Sequence, residues 1–228
     1  MFSDTNCPEQ CNGCRHRYFT EEESLQKKTA FLRIKLFGWD ETIDAIRSVG
    51  GEARTSYRKK VCLHTVYNGT AWEFGMISHR QFVAAPACPV QHKLIGEVIR
   101  LLSGILPPPE RFPLRFFIQS GNQVMLVLKA VALPDNAWLA PAVEESLRQL
   151  GVEGCWLHLN PSAGNKIFMK HNFFLLFGSE ASFDQQGMCY GPMSFQQLIP
   201  GLYLDSLHEA SLFLMPGSNS LVIDLYCV

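Results

Sequence analysis

Long apolar runs are missing from this sequence. The most apolar stretches, such as residues 124–128 and 173–177, fall far short of the roughly 18 consecutive residues that a membrane-spanning helix needs. No membrane span is therefore expected. Charge is also sparse, at 18% of residues with a formal net charge of -1, which argues against a purely electrostatic coat for nucleic acid. The opening Met-Phe-Ser-Asp-Thr-Asn-Cys has neither the basic nor the apolar region of a secretory leader, so a cytoplasmic location is expected. Long repeats and low-complexity tracts are lacking as well. What is present is a globular composition: 228 residues, 47% hydrophobic and 11% aromatic, enough for one large domain or two small ones.

The charge is unevenly placed. Residues 1–60 hold 11 Lys and Arg against 9 Asp and Glu, whereas residues 61–228 hold 9 against 12. This N-terminal excess leaves a small basic face for RNA phosphates. Of the 8 cysteines, Cys7, Cys11 and Cys14 crowd into one short polar segment. Without a secretory leader disulfides are not expected, so the cluster points to metal binding or redox chemistry. Cys62, Cys155 and Cys189 lie in or beside apolar segments and read as packed thiols.

Periodicity divides the chain. Thr20 and Glu23 form a capping box ahead of a helix over 21–37, and a short helix is expected over 41–49. Alternation over 57–86 with a turn at Asn68-Gly69 predicts antiparallel strands, and the stripe Leu94, Ile95, Val98 and Leu102 predicts a helix over 90–105. A second hairpin is expected from 114–119 and 123–131 around Gly121-Asn122. It is followed by a helix near 138–150, a strand near 154–159 and a further pair across Gly164-Asn165. A helix over 202–213 and a strand over 221–226 then open a doubly wound arrangement. The fold class expected is α+β: a mainly antiparallel hairpin-plus-helix domain over 1–200 with an N-terminal cluster loop, and the start of a Rossmann-like domain over 201–228.

Three thiolates in Cys-x3-Cys-x2-Cys spacing suit zinc or an iron–sulfur cluster. Structural zinc sites use two paired knuckles, and no second Cys or His pair is present, so zinc is the lesser reading. Cys88, followed by Pro89 ahead of a helix, supplies the fourth ligand of an expected 4Fe-4S cluster. The same triple spacing with Gly50-Gly51-Glu52 downstream looks like radical S-adenosylmethionine enzymes. That family places a strand before its cysteine loop, and only six residues precede Cys7 here.

Taken together, the motifs resemble the S-adenosylmethionine-dependent RNA uracil-5-methyltransferases of the cluster-bearing rRNA and tRNA type. The residues that carry the likeness are Cys11-Asn12-Gly13-Cys14, Leu25 and Lys28, Tyr57-Arg58-Lys59-Lys60, Ser78-His79 with Cys88-Pro89, Ser194-Phe195-Gln196-Gln197, and Asp224-Leu225-Tyr226-Cys227. Departures are Ser24 in place of Gln, Ile199 in place of Asn, and Val228 where Gly-x-Gly begins.

The resemblance covers the first half of a typical member. It implies Cys7, Cys11, Cys14 and Cys88 as cluster ligands and Gln197 and Tyr226 as contacts to S-adenosylmethionine, while the basic residues Arg58, Lys59 and Lys60 are candidates for contacts to RNA phosphates. The family's nucleophilic Cys and acidic base have no counterpart, and Cys227 is not that nucleophile, so the chain alone is expected to be inactive. Two other readings are a non-catalytic iron–sulfur RNA-binding module and one half of a split enzyme whose catalytic sheet is a separate chain.

Overall fold

The computed structural model describes residues 7–49, 54–164 and 166–223. Their centre is one seven-stranded sheet built from β1 (Lys60–Tyr67), β2 (Trp72–Ser78), β3 (Gln81–Ala84), β4 (Leu114–Ser120), β5 (Gln123–Leu128), β6 (Gly154–Leu159) and β7 (Phe173–Gly178). Spatial order is β3-β2-β1-β4-β5-β6-β7. The two expected hairpin-plus-helix units thus fuse across the antiparallel β1–β4 pair, where Leu63 faces Phe117. Five of the six strand pairs in this sheet are antiparallel, in line with the mainly antiparallel expectation. Strands β5 and β6 run parallel because α3 (Pro141–Gln149) carries the chain back between them.

One face of the sheet is covered by α2 (Lys93–Ile105) and α3. The period-two alternation of Val61, Leu63, Phe117, Val124, Leu126, Cys155 and Leu157 meets the helical stripe Leu94, Ile95, Val98, Ile99 and Leu102. His92 caps α2 by accepting the Leu94 N–H at 3.4 Å, and the helix stops before Pro107. The other face holds a smaller cluster of Phe116, Ile118, Met125 and Val127, roofed by Ile167 and Phe168 from the loop over residues 160–172.

Two buried polar side chains shape that loop. The Asn160 amide donates to the carbonyls of Lys166 and Ile167 at 2.6 and 2.8 Å and accepts from Ser162. His158 stacks on Phe173 at 4.0 Å, bonds the Asn172 carbonyl through Nδ1 and accepts the Met169 N–H at Nε2. These bonds organise a long β6–β7 connection where a strand pair across Gly164-Asn165 was expected; Asn165 itself lies outside the described residues. Asn160→Ala would remove the buried amide that donates to the Lys166 and Ile167 carbonyls and is expected to cost about 2 kcal/mol, measurable by urea unfolding.

Burial holds the His158 pKa down, opposed by its bond to Asn172. The unfolded chain therefore binds a proton that the folded chain resists. Stability is expected to be full above the ordinary histidine pKa and to fall as pH drops below it. Thermal melts at neutral and mildly acidic pH check this, and His158→Phe should reduce the dependence, leaving the part due to His64 and His92, which burial also holds down.

Other elements also differ from expectation. Helix α1 (Glu21–Lys35) has its full capping box, with the Glu23 N–H bonded to Thr20 Oγ1 at 3.2 Å. The helix expected over 41–49 is reduced to one 3-10 turn, Asp40–Thr42. Ile43, Ile46 and Val49 find no core, and a short helix without a buried face is not stable on propensity. Strands β8 (Ser182–Phe183) and β9 (Cys189–Tyr190) form a small separate ribbon. Cys155 is buried as expected, but Cys62 and Cys189 are exposed, because Cys62 alternates with the buried Val61 and Leu63.

Helix α4 (Pro200–Leu214) forms as expected yet buries no residue. Residues 221–223 have no strand structure and are exposed; the remainder of the expected 221–226 strand lies outside the described residues.

The two-residue turn between β2 and β3 places His79 at φ 48° and Arg80 at φ 67°. Both positions favour Asn and Gly. The pair His79→Asn with Arg80→Gly is expected to stabilise the fold by roughly 1 kcal/mol, read as a raised melting temperature.

Candidate functional site

Successive tight turns fold the cysteine segment onto the end of β2. The Cys11 N–H bonds the Pro8 carbonyl at 3.0 Å, and the Arg17 N–H bonds the Cys14 carbonyl at 3.2 Å. Ser78 Oγ donates to the Gln10 carbonyl at 2.7 Å, and Cys11 Sγ lies 3.6 Å from Met76 Sδ. Arg17 braces the segment, donating to Cys7 Sγ at 3.2 Å and to the carbonyls of Pro8 and Glu9. Behind the segment, His16 Nδ1 contacts the buried Ser24 hydroxyl of α1 at 2.8 Å.

Cys88 arrives from the other side. Residues 88–92 are pinned against 56–58 by three backbone bonds: Ser56 to Pro89, Arg58 to Val90, and His92 to Arg58. Cys7, Cys11, Cys14 and Cys88 consequently line one cavity of about 370 Å3, together with Arg17, Tyr57, Arg58 and Met76. The Cys14 thiol is pushed up by burial first and then by Cys88, while the Arg58 guanidinium opposes this. Burial and then Cys11 raise the Cys7 thiol against the hydrogen bond from Arg17.

The donor set fits an anionic thiolate-bound occupant. Four thiols share one cavity, and Arg58 Nε is buried beside it with no hydrogen-bond partner among the described residues. The distances are not those of a formed metal site: among the described residues no group of three or more His, Cys, Asp or Glu side chains could hold a metal ion as placed.

The remaining site residues are dispersed. Arg58 turns into the thiol cavity, and Lys60 Nζ donates to the carbonyls of Met193 (2.7 Å) and Ser194, tying the 191–199 segment to β1. Of the three basic residues expected to meet RNA, only Lys59 is exposed. Gln197 is exposed on the same tied segment, with no described hydrogen bond of its side chain, and Tyr226 lies outside the described residues. Sequence reasoning missed the roles of Arg17 and Met76, which only the folding of residues 7–17 onto β2 brings to the thiols.

No family model matches the sequence, and no curated protein matches it. Among solved structures, the chain is similar to a tRNA (uracil-54, C5)-methyltransferase of Pyrococcus abyssi, solved in complex with S-adenosyl-L-homocysteine. The two share 18% sequence identity with a TM-score of 0.62 over 89% of this chain and 50% of that one. This chain therefore spans half the length of that enzyme and shares the fold of the matching half.

Proposed function

We propose that this chain is the cluster-bearing part of an S-adenosylmethionine-dependent RNA uracil-5-methyltransferase homologue. The observation that carries the proposal is the convergence of Cys7, Cys11, Cys14 and Cys88 on one cavity, within a fold shared with half of a tRNA uracil methyltransferase. The four thiolates hold a 4Fe-4S cluster that staples residues 7–17 to the β2 end and to the 88–92 segment, the kind of role a small polar segment without its own core requires. Arg58 and Arg17 supply N–H donors and positive charge to the anionic sulfur set. Lys59 contacts RNA, while Lys60 holds the 191–199 segment that carries Gln197 toward S-adenosylmethionine.

In this reading residues 1–200 form the cluster and RNA-binding domain, and 201–228, with Tyr226, open the cofactor-binding domain. Uracil methylation at C5 needs a thiolate to add to the ring and a base to remove the ring proton. Among the described residues, Cys62, Cys155 and Cys189 have no hydrogen-bonded base. Incubation with tritiated S-adenosylmethionine and a transfer RNA transcript is therefore expected to show RNA binding without methyl transfer by these 228 residues. Turnover would overturn the assignment of inactivity, and failure to bind RNA would overturn the RNA-directed reading.

A further inference from the structure

Carboxylates are absent from the strands at the centre of the sheet and from the loop above them. Residues 111–134 and 154–179 contain no Asp or Glu, yet they include Arg111, Arg115, Lys129, Lys166 and Lys170. Four of these cations belong to the face that carries Phe116, Ile118, Met125 and Val127, or to the loop that roofs it. Arg115 is the extra residue at the register shift of β4, and such a bulge re-aims a side chain out of the ladder. It is exposed, its guanidinium stands 5.9 Å from the Phe116 ring centre, and it has no acidic partner among the described residues.

Leu114 pairs with Leu128, which sets Arg115 and Lys129 at the same end of the β4–β5 pair. After burial, the charge of Arg115 is what holds down protonation of both His64, on β1, and Lys129, at the end of β5. Lys129 Nζ donates to the Ser162 and Gly164 carbonyls at 2.8 and 3.1 Å, fastening the 160–172 loop beside Arg115. That loop presents Lys166 and Lys170, both exposed and without an ion pair among the described residues. The one carboxylate on the same face of β2, Glu73, accepts from Asn68 at 2.9 Å.

Uncompensated cations gathered in this way cost self-repulsion unless a polyanion spans them. We infer that the Phe116 face of the sheet is an RNA phosphate-binding surface, contacted by Arg115, Lys166 and Lys170, with Lys129 positioning the loop that bears the last two. The inference rests on the RNA-directed reading above and moves the main electrostatic footprint away from the start of β1. A regularly charged strand fits separated, solvated cations on a sheet face, whereas a protein partner would need apolar anchors at the centre of its interface.

The test is fluorescence-anisotropy titration of an unmodified transfer RNA transcript with the 228-residue chain over a range of salt concentrations. The triple variant Arg115→Gln, Lys166→Gln, Lys170→Gln should bind at least about tenfold more weakly, and its log–log salt slope should fall by about 2, as expected for three lost phosphate contacts. A control carrying Lys93→Gln and Arg100→Gln on α2, across the sheet, should match the wild type. Unchanged melting temperatures establish that all three proteins are folded. Wild-type binding that the triple variant retains would sink this surface and leave the RNA-directed reading standing. No RNA binding by the wild type, or binding to phosphatidylserine vesicles in its place, would sink both.

Discussion

Cys88→Ser should strip the iron from the protein. After anaerobic purification the wild type is expected to be brown with about four irons per chain, as for a cubane bound by four thiolates. The variant should be nearly colourless, with iron reduced to well under about one per chain on the same basis. Cys88 is singled out because, of the four proposed ligands, it alone comes from outside the N-terminal segment. Its backbone is held by bonds between residues 56–58 and 89–92, so the change should remove a thiolate without disturbing the strands. Cys62→Ser, on the exposed thiol of β1, should keep the full iron content. Colourless wild-type protein with stoichiometric zinc would overturn the cluster assignment, and retention of iron by Cys88→Ser would remove that residue from the ligand set.

The second large effect concerns the scaffold. Phe117 lies at the middle of β4, fully buried, opposite Leu63 on β1 and edge-on to Phe74 at 5.4 Å. It stands where the two hairpin units meet beneath the helices. Phe117→Ala is expected to lose about 3–5 kcal/mol, the usual cost of truncating a buried aromatic that its neighbours cannot replace. Urea unfolding followed by circular dichroism measures this, and a loss below about 1 kcal/mol would mean that the core collapses into the space.

Much of this was legible before the fold. The Thr20–Glu23 capping box, the apolar stripe of α2 and the alternation in β1, β4 and β5 are local signals, and each marks an element that forms. Failures came where local pattern had no tertiary support or met an unseen competitor. Residues 41–49 have helical spacing but no core to bury it, and the Gly164 region has turn chemistry but is captured by Asn160 and His158. The basic run Arg58-Lys59-Lys60 reads as uniform in sequence, yet Arg58 lines the thiol cavity, Lys60 binds the Met193 and Ser194 carbonyls, and Lys59 is exposed.

By itself, the sequence determined which residues could be ligands, because cysteine spacing is a matter of chain geometry over a few residues, and which segments could be strands or helices, because amphipathic period is local. Tertiary structure alone decided that Cys88 shares a cavity with three thiols more than seventy residues away, since that depends on backbone pairing between 56–58 and 88–92. It also decided that Arg115 stands beside Lys129 and the 160–172 loop, where charges distant in sequence sum into one field. The physical reason is the same in both cases: thiolate binding and phosphate attraction act through space, and separation along the chain says little about separation across a sheet.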